Sequence, residues 1–263
     1  MTIEYFIKNW TNIKEEDISF TEDEWKEISA YKHLSEEFIE KYKDKVNWYR
    51  ISECQSLSED FMEKYEDKVD WIEVSACQKL SEGFIDNYKD EVDWYCISVN
   101  QTLSEEFIEK YKDKINWFYI SIYQILSEEF MEKHEDKVNW YSISECQSLS
   151  EDFIEKYKDK VNWYSISGKQ SLSEEFIAKH KDIVNWHAVS QHQNLSRDFI
   201  IQHKDKISHS NCLNKYYWLR YINGSRTLSI HTNNSYGIIL QWKNIEGFDL
   251  LNIPANMIFC HAL

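Results

Sequence analysis

The chain predicts a mainly α fold: an α-solenoid of about eight 23-residue helix-turn-helix repeats, followed by a small β-containing C-terminal cap. Three observations carry this. A Leu-Ser pair recurs at Leu34, Leu57, Leu80, Leu103, Leu126, Leu149, Leu172 and Leu195, in steps of 23 residues. A tryptophan recurs in the same step from Trp25 to Trp186. The residue before each tryptophan from Trp48 onward is Asn or Asp, a strong helix N-cap. No copy carries an insertion or deletion.

The copy from Leu34 to Ser56 shows why each half is helical. Ser35 is an N-cap residue, and Glu36 and Glu37 put negative charge in the first turn, where the helix dipole favours it. Leu34 at N′ pairs with Ile39 at N4 as a hydrophobic staple. Phe38, Ile39 and Tyr42 continue one apolar stripe, for a helix of about ten residues. Asn47 opens the second helix, Val46 and Ile51 form a second staple, and Trp48, Ile51 and Gln55 share a face. Turns of two or three residues join the helices. A strand reading fails, because period-two alternation is absent and Glu and Lys are poor strand residues. One copy buries too little apolar surface to offset the ordering of its backbone, so the copies must stack.

Two polar positions barely vary. Serine stands four residues after every tryptophan, as at Ser52, Ser75 and Ser98, and predicts a close helix contact with the hydroxyl bonded one turn back. Glutamine stands seven after, as at Gln55, Gln78 and Gln101, and predicts a ladder of buried amides tying each copy to the next. Eight identical nucleophiles serve no reaction, so both positions are structural and no catalytic residue is expected.

The framework repeats while other positions vary, and the variable ones are the candidate partner contacts. They are Tyr49, Arg50, Ile72, Glu73, Tyr95, Phe118, Tyr119, Ile122, Tyr123, Tyr141, Tyr164 and His187. Phe118, Tyr119, Ile122 and Tyr123 make one second helix apolar nearly all round. That predicts tighter burial in the middle of the array or, alternatively, an exposed contact patch. Histidines gather late, from His180 to His209, with Cys212 beyond them, but their spacing matches no zinc pattern. No metal or cofactor is expected.

The formal charge of −16 argues against nucleic acid as the main partner, because phosphate binding needs a positive surface. From Asp205 onward five Lys/Arg face three Asp/Glu, so the preceding part carries −18 and would steer a basic partner. No apolar run is long enough for a membrane span, and the start lacks a signal peptide. The six cysteines then read as reduced thiols in a cytoplasmic protein.

Three regions follow: a worn N-terminal capping copy over 1–24, the array over 25–222, and a β-containing cap or small module over 223–263. Asn9-Trp10 resembles the start of a second helix. A last helix is expected over Leu213 to Tyr221, ended by Asn223-Gly224. Thr227–His231 and Gly237–Trp242 read as strands.

The unit from Leu103 to Ser121, Leu-Ser-Glu-Glu-Phe-Ile-Glu-Lys-Tyr-Lys-Asp-Lys-Ile-Asn-Trp with a later Ile-Ser, resembles short tandem helical repeats of mimivirus-like giant viruses of amoebae. The resemblance covers Trp25 to His203. It implies an intracellular protein made in an infected host cell, and brings no activity and no catalytic residues. The sequence thus leads to a non-enzymatic scaffold that binds another protein through its second helices. The alternatives are an acidic trap for a basic ligand and a targeting arm for a C-terminal effector module.

Overall fold

A computed structural model describes residues 1–207 apart from Lys32, and the segments 218–222, 225–230 and 238–242. The chain divides into two compact units, Met1–Gln147 and Ser148–Leu263.

In the first unit, α1 (Ile3–Asn9) and α2 (Glu22–Ser29) precede the regular copies. First helices are α3 (Glu36–Lys41), α5 (Glu59–Lys64), α7 (Glu82–Asn87), α9 (Glu105–Lys110) and α11 (Glu128–Lys133). They alternate with second helices α4 (Trp48–Cys54), α6 (Trp71–Cys77), α8 (Trp94–Asn100), α10 (Trp117–Tyr123) and α12 (Trp140–Cys146). Each second helix lies beside the next one, from α2 on α4 through to α10 on α12. The second unit continues the alternation with α13 (Glu151–Lys156), α14 (Trp163–Lys169), α15 (Glu174–Lys179), α16 (Trp186–His192) and α17 (Arg197–Gln202). Here α14 packs on α16. This unit also holds an antiparallel sheet of β1 (Trp218–Ile222), β2 (Ser225–Ile230) and β3 (Ile238–Trp242), in that order.

The caps explain where helices begin. Ser35 Oγ accepts the Phe38 N–H at 3.2 Å, and Asn47 Oδ1 accepts the Arg50 N–H at 3.0 Å. Both bonds satisfy donors that a helix start leaves orphaned. The core is a repeating set of side chains without solvent contact, such as Ile39 and Ile51, Ile85 and Ile97, or Ile108 and Ile120. Leu34 and Val46, the residues just before the two caps, are also buried.

Three local expectations need correction. The first helix is six residues long, not ten, because Tyr42 leaves helical geometry at φ −109°, ψ 24°. Its carbonyl then takes the N–H of both Lys45 (2.8 Å) and Val46 (3.0 Å), closing a four-residue turn that carries Val46 inward. At the start, Asn9 ends α1 instead of capping a helix: its side chain bonds back to the Tyr5 carbonyl at 2.8 Å. A 3-10 turn follows over Trp10–Asn12. The helix expected over Leu213 to Tyr221 meets β1 in its last four residues. Trp-Leu-Arg-Tyr-Ile favours a pleated strand, and Ile222 pairs with Ser225 across the Asn-Gly dipeptide, which is a hairpin signal as well as a helix stop. Residues 208–217 lie outside the described ones.

Candidate partner-binding face

The invariant polar residues are consumed by the stacking. Gln101 Nε2 donates to the carbonyls of Ser75 (3.0 Å) and Gln78 (2.7 Å) in the preceding copy, and its Oε1 accepts the Leu80 N–H at 3.1 Å. Gln78 bonds Ser52 O, Gln55 O and the Leu57 N–H in the same way, as Gln55 does with Ser29 O, Tyr31 O and the Leu34 N–H. Ser98 donates to the Trp94 carbonyl at 2.6 Å and accepts the Asn116 N–H of the next copy at 2.9 Å. Ser75 does the same with Trp71 and Asp93, while Ser52 accepts the Asp70 N–H at 3.0 Å. The inter-copy half of the serine's role was not foreseen.

Nor was a third seam. Glu59, at the start of α5, accepts the N–H (2.5 Å) and the hydroxyl (3.0 Å) of Ser81, the N-cap of the next first helix. Glu82 and Glu105 treat Ser104 and Ser127 alike. Lysines of the first helices and of the turns after them meet carboxylates one copy back, as in Lys68–Asp44 (3.1 Å), Lys114–Asp90 (2.9 Å) and Lys133–Glu109 (2.9 Å). Lys112 and Lys133 beside Glu109, helped by His134, hold its carboxyl down at about 2. In the second unit Lys179 and His180 do the same for Glu155, at about 2.

The histidines belong to these seams. His134 Nε2 lies 2.6 Å from Glu109, and His180 Nε2 lies 2.6 Å from Glu155. Each ring packs on the tryptophan of the preceding copy, at 4.9 Å for Trp117–His134 and 5.1 Å for Trp163–His180. His203 packs likewise on Trp186, but its buried Nε2 has no partner among the described residues: Ala178 stands where Glu155 and Glu109 stand. His180 and His203 therefore face tryptophans, not each other. Among the described residues no group of three His, Cys, Asp or Glu side chains could hold a metal ion; His209 and Cys212 lie outside them. Cys54, Cys77 and Cys96 are thiols outside any disulfide. Burial, with Asp93 beside it, pushes the Cys96 thiol up to about 11, and burial with neighbouring glutamates raises Cys54 and Cys77. None of these three is a thiolate nucleophile at neutral pH.

What remains is the outer face of the second helices. Tyr49, Ile72, Tyr95, Phe118, Tyr141, Tyr164 and His187, each one residue after tryptophan, are all exposed. Arg50, Glu73, Tyr119 and Ile122 are half-buried. Arg50 is tied to Glu53 at 2.6 Å, and Tyr49 hydrogen-bonds Glu73 of the next copy, which raises the phenol. Tyr141 and Tyr164 stand beside buried serines, Ser142 and Ser165.

Among the described residues of this outer face, α8 and α10 bring several rings together. The Tyr95 and Tyr119 hydroxyls lie 2.9 Å apart, their rings 4.9 Å apart at 79°. Phe118 meets Tyr119 at 5.2 Å and 83°, and Tyr119 lies parallel to Tyr123 at 6.2 Å. The cluster is not the tightly buried centre that an all-round apolar helix suggests. Phe118 is 46% and Tyr123 56% exposed, because Ile120 and Ser121 already fill the inner side of α10. Ile125, in the loop after it, is 94% exposed and was missed. Its signal was legible: Ser56, Lys79, Thr102 and Ser148 hold that position in nearby copies.

No family model matches the chain, and no curated protein or solved structure matches it. Among the described residues, no helix is long and apolar enough to cross a membrane.

Proposed function

We propose that this protein is a non-enzymatic scaffold that binds another protein through the outer face of its second helices. The observation that supports it is the gathering of Tyr95, Phe118, Tyr119 and Tyr123 across α8 and α10, with Tyr95, Phe118 and Tyr123 open to solvent and Ile125 exposed in the loop that follows, while the invariant serines and glutamines are spent on stacking. Partly exposed aromatic clusters are the usual anchors of interfaces. In this reading β1–β3 belong to a C-terminal cap. The protein acts inside a cell, in the host cytoplasm if the giant-virus resemblance gives its source.

The test compares the full tagged chain with a Tyr95→Ser, Phe118→Ser, Tyr123→Ser variant as bait. A partner recovered in stoichiometric amount with the first, and lost at least tenfold with the second at unchanged thermal stability, is expected. Identical recovery by both overturns the proposal.

The net charge of −16 favours a second reading, an acidic trap that mimics nucleic acid. The lysine–carboxylate seams interrupt the acid on the first helices, so the trap would need its charge elsewhere.

A further inference from the structure

Several framework rings in this chain are covered by its own cations. Lys45 lies 6.0 Å from the centre of Trp25, Lys114 5.6 Å from Trp94 and Lys137 5.8 Å from Trp117. Among the described residues, no Lys or Arg lies over Tyr95, Phe118, Tyr119 or Tyr123. The helices there supply none: α6, α8, α10 and α12 contain no Lys or Arg at all. Their charged side chains are Glu73 on α6 and Glu145 on α12, half-buried on either flank of the ring cluster. Farther out, Arg50 on α4 is already paired with Glu53, and Lys79 sits in the loop after α6, two copies before Ile125.

The strip is therefore rich in open π faces, bordered by carboxylates and empty of cations, on a chain of net charge −16. A negative field concentrates positive partners. A guanidinium within about 6 Å of a ring centre is held by the ring quadrupole, and its planar shape stacks where an ammonium only touches.

We propose that the strip across α8 and α10 docks an arginine-bearing segment of a partner protein. Guanidinium groups stack on Phe118, Tyr123 and Tyr95, Glu73 and Glu145 receive the flanking cations, and Ile125 takes an apolar side chain. Phosphate-bearing partners are repelled by the same field. The proposal rests on the scaffold reading and gives its partner a chemistry.

The probe is a fluorescein-labelled decapeptide of alternating arginine and glycine, titrated with the full chain and followed by anisotropy. Binding at least tenfold tighter than for the lysine–glycine peptide is expected, with at least a tenfold loss in the Tyr95→Ser, Phe118→Ser, Tyr123→Ser variant. Tyr5→Ser, at an exposed tyrosine of α1 outside the candidate face, should leave the affinity unchanged. Equal binding of both peptides, or binding that survives the triple substitution, reduces the effect to diffuse charge and overturns the proposal. A partner captured through the rings by a segment without arginine overturns it too, yet leaves the scaffold reading standing. Sedimentation showing a dimer that the triple substitution dissolves assigns the strip to a second copy of the chain, and also overturns it.

Discussion

Gln101 reaches back to the preceding copy and donates its side-chain N–H to the carbonyl oxygen of Gln78 at 2.7 Å, one rung of a buried ladder. Its oxygen at the same time holds the Leu80 N–H that opens its own copy. One amide thus closes the turn inside a copy and the seam between two copies.

Gln101→Leu should cost about 1–3 kcal/mol for each buried group it orphans, with the Leu80 N–H foremost. Urea unfolding of the full chain checks it. A midpoint unchanged from wild type would mean that water replaces the amide.

Ser121 is without solvent contact, donates to the Trp117 carbonyl at 2.7 Å and accepts the Asn139 N–H at 2.9 Å. Ser121→Ala keeps the volume but strands that N–H, so a loss of about 1–3 kcal/mol is expected. Ser121→Val should be worse still, because the site has no room for two methyl groups. The two midpoints, measured together, separate bonding from packing.

Acid should loosen the seams in a defined window. Glu109 and Glu155 titrate at about 2 in the fold against an ordinary 4.5. Folded values below unfolded ones mean that their contribution is complete above pH 4.5 and is lost as pH falls toward 2. Thermal melts from pH 6 downward should show the decline. The Glu109→Gln variant should be less stable at neutral pH and should decline less steeply through that window.

Ala178→Glu should give His203 Nε2 a carboxylate partner, which it lacks among the described residues, since Glu155 stands in the same relation to His180. A gain of about 0.5–1.5 kcal/mol is expected, as for an ordinary buried hydrogen bond. A lower melting temperature for this variant would show that the side chain cannot reach.

Phe118→Ser and Ile125→Ser remove apolar surface that the fold leaves open, so the unfolding free energy should change by no more than about 0.5 kcal/mol in urea titrations. Binding of an apolar fluorescent dye should fall in step. A large destabilisation would place these residues in the core of the fold instead.

The period, both caps and the two buried polar positions were legible because each is a local signal repeated copy after copy. A Ser three residues before Phe38 or an Asn three before Arg50 needs no tertiary knowledge to be read as a cap. The end of the first helix was not legible. Tyr42 continues the apolar stripe, and only the burial of Val46 forces the chain to turn there. The serine's second bond and the Glu59–Ser81 seam were hidden as well, since both cross between copies at a spacing set by stacking. At the candidate face the varying residues could be named, but not sorted. Arg50 turned out to be tied to Glu53, and Tyr119 to Tyr95, while Ile125 escaped because it lies in a loop.

The seams run between positions 18, 22 and 23 residues apart, as in Asn116–Ser98, Ser81–Glu59 and Gln101–Gln78. Losing a single residue within a copy would put every pair that spans it out of phase at once, whereas losing a whole copy would rejoin each donor to an equivalent acceptor. The gene behind such a chain can lengthen or shorten by complete units and by little else, and the α8–α10 strip can be carried to a new place in the order intact.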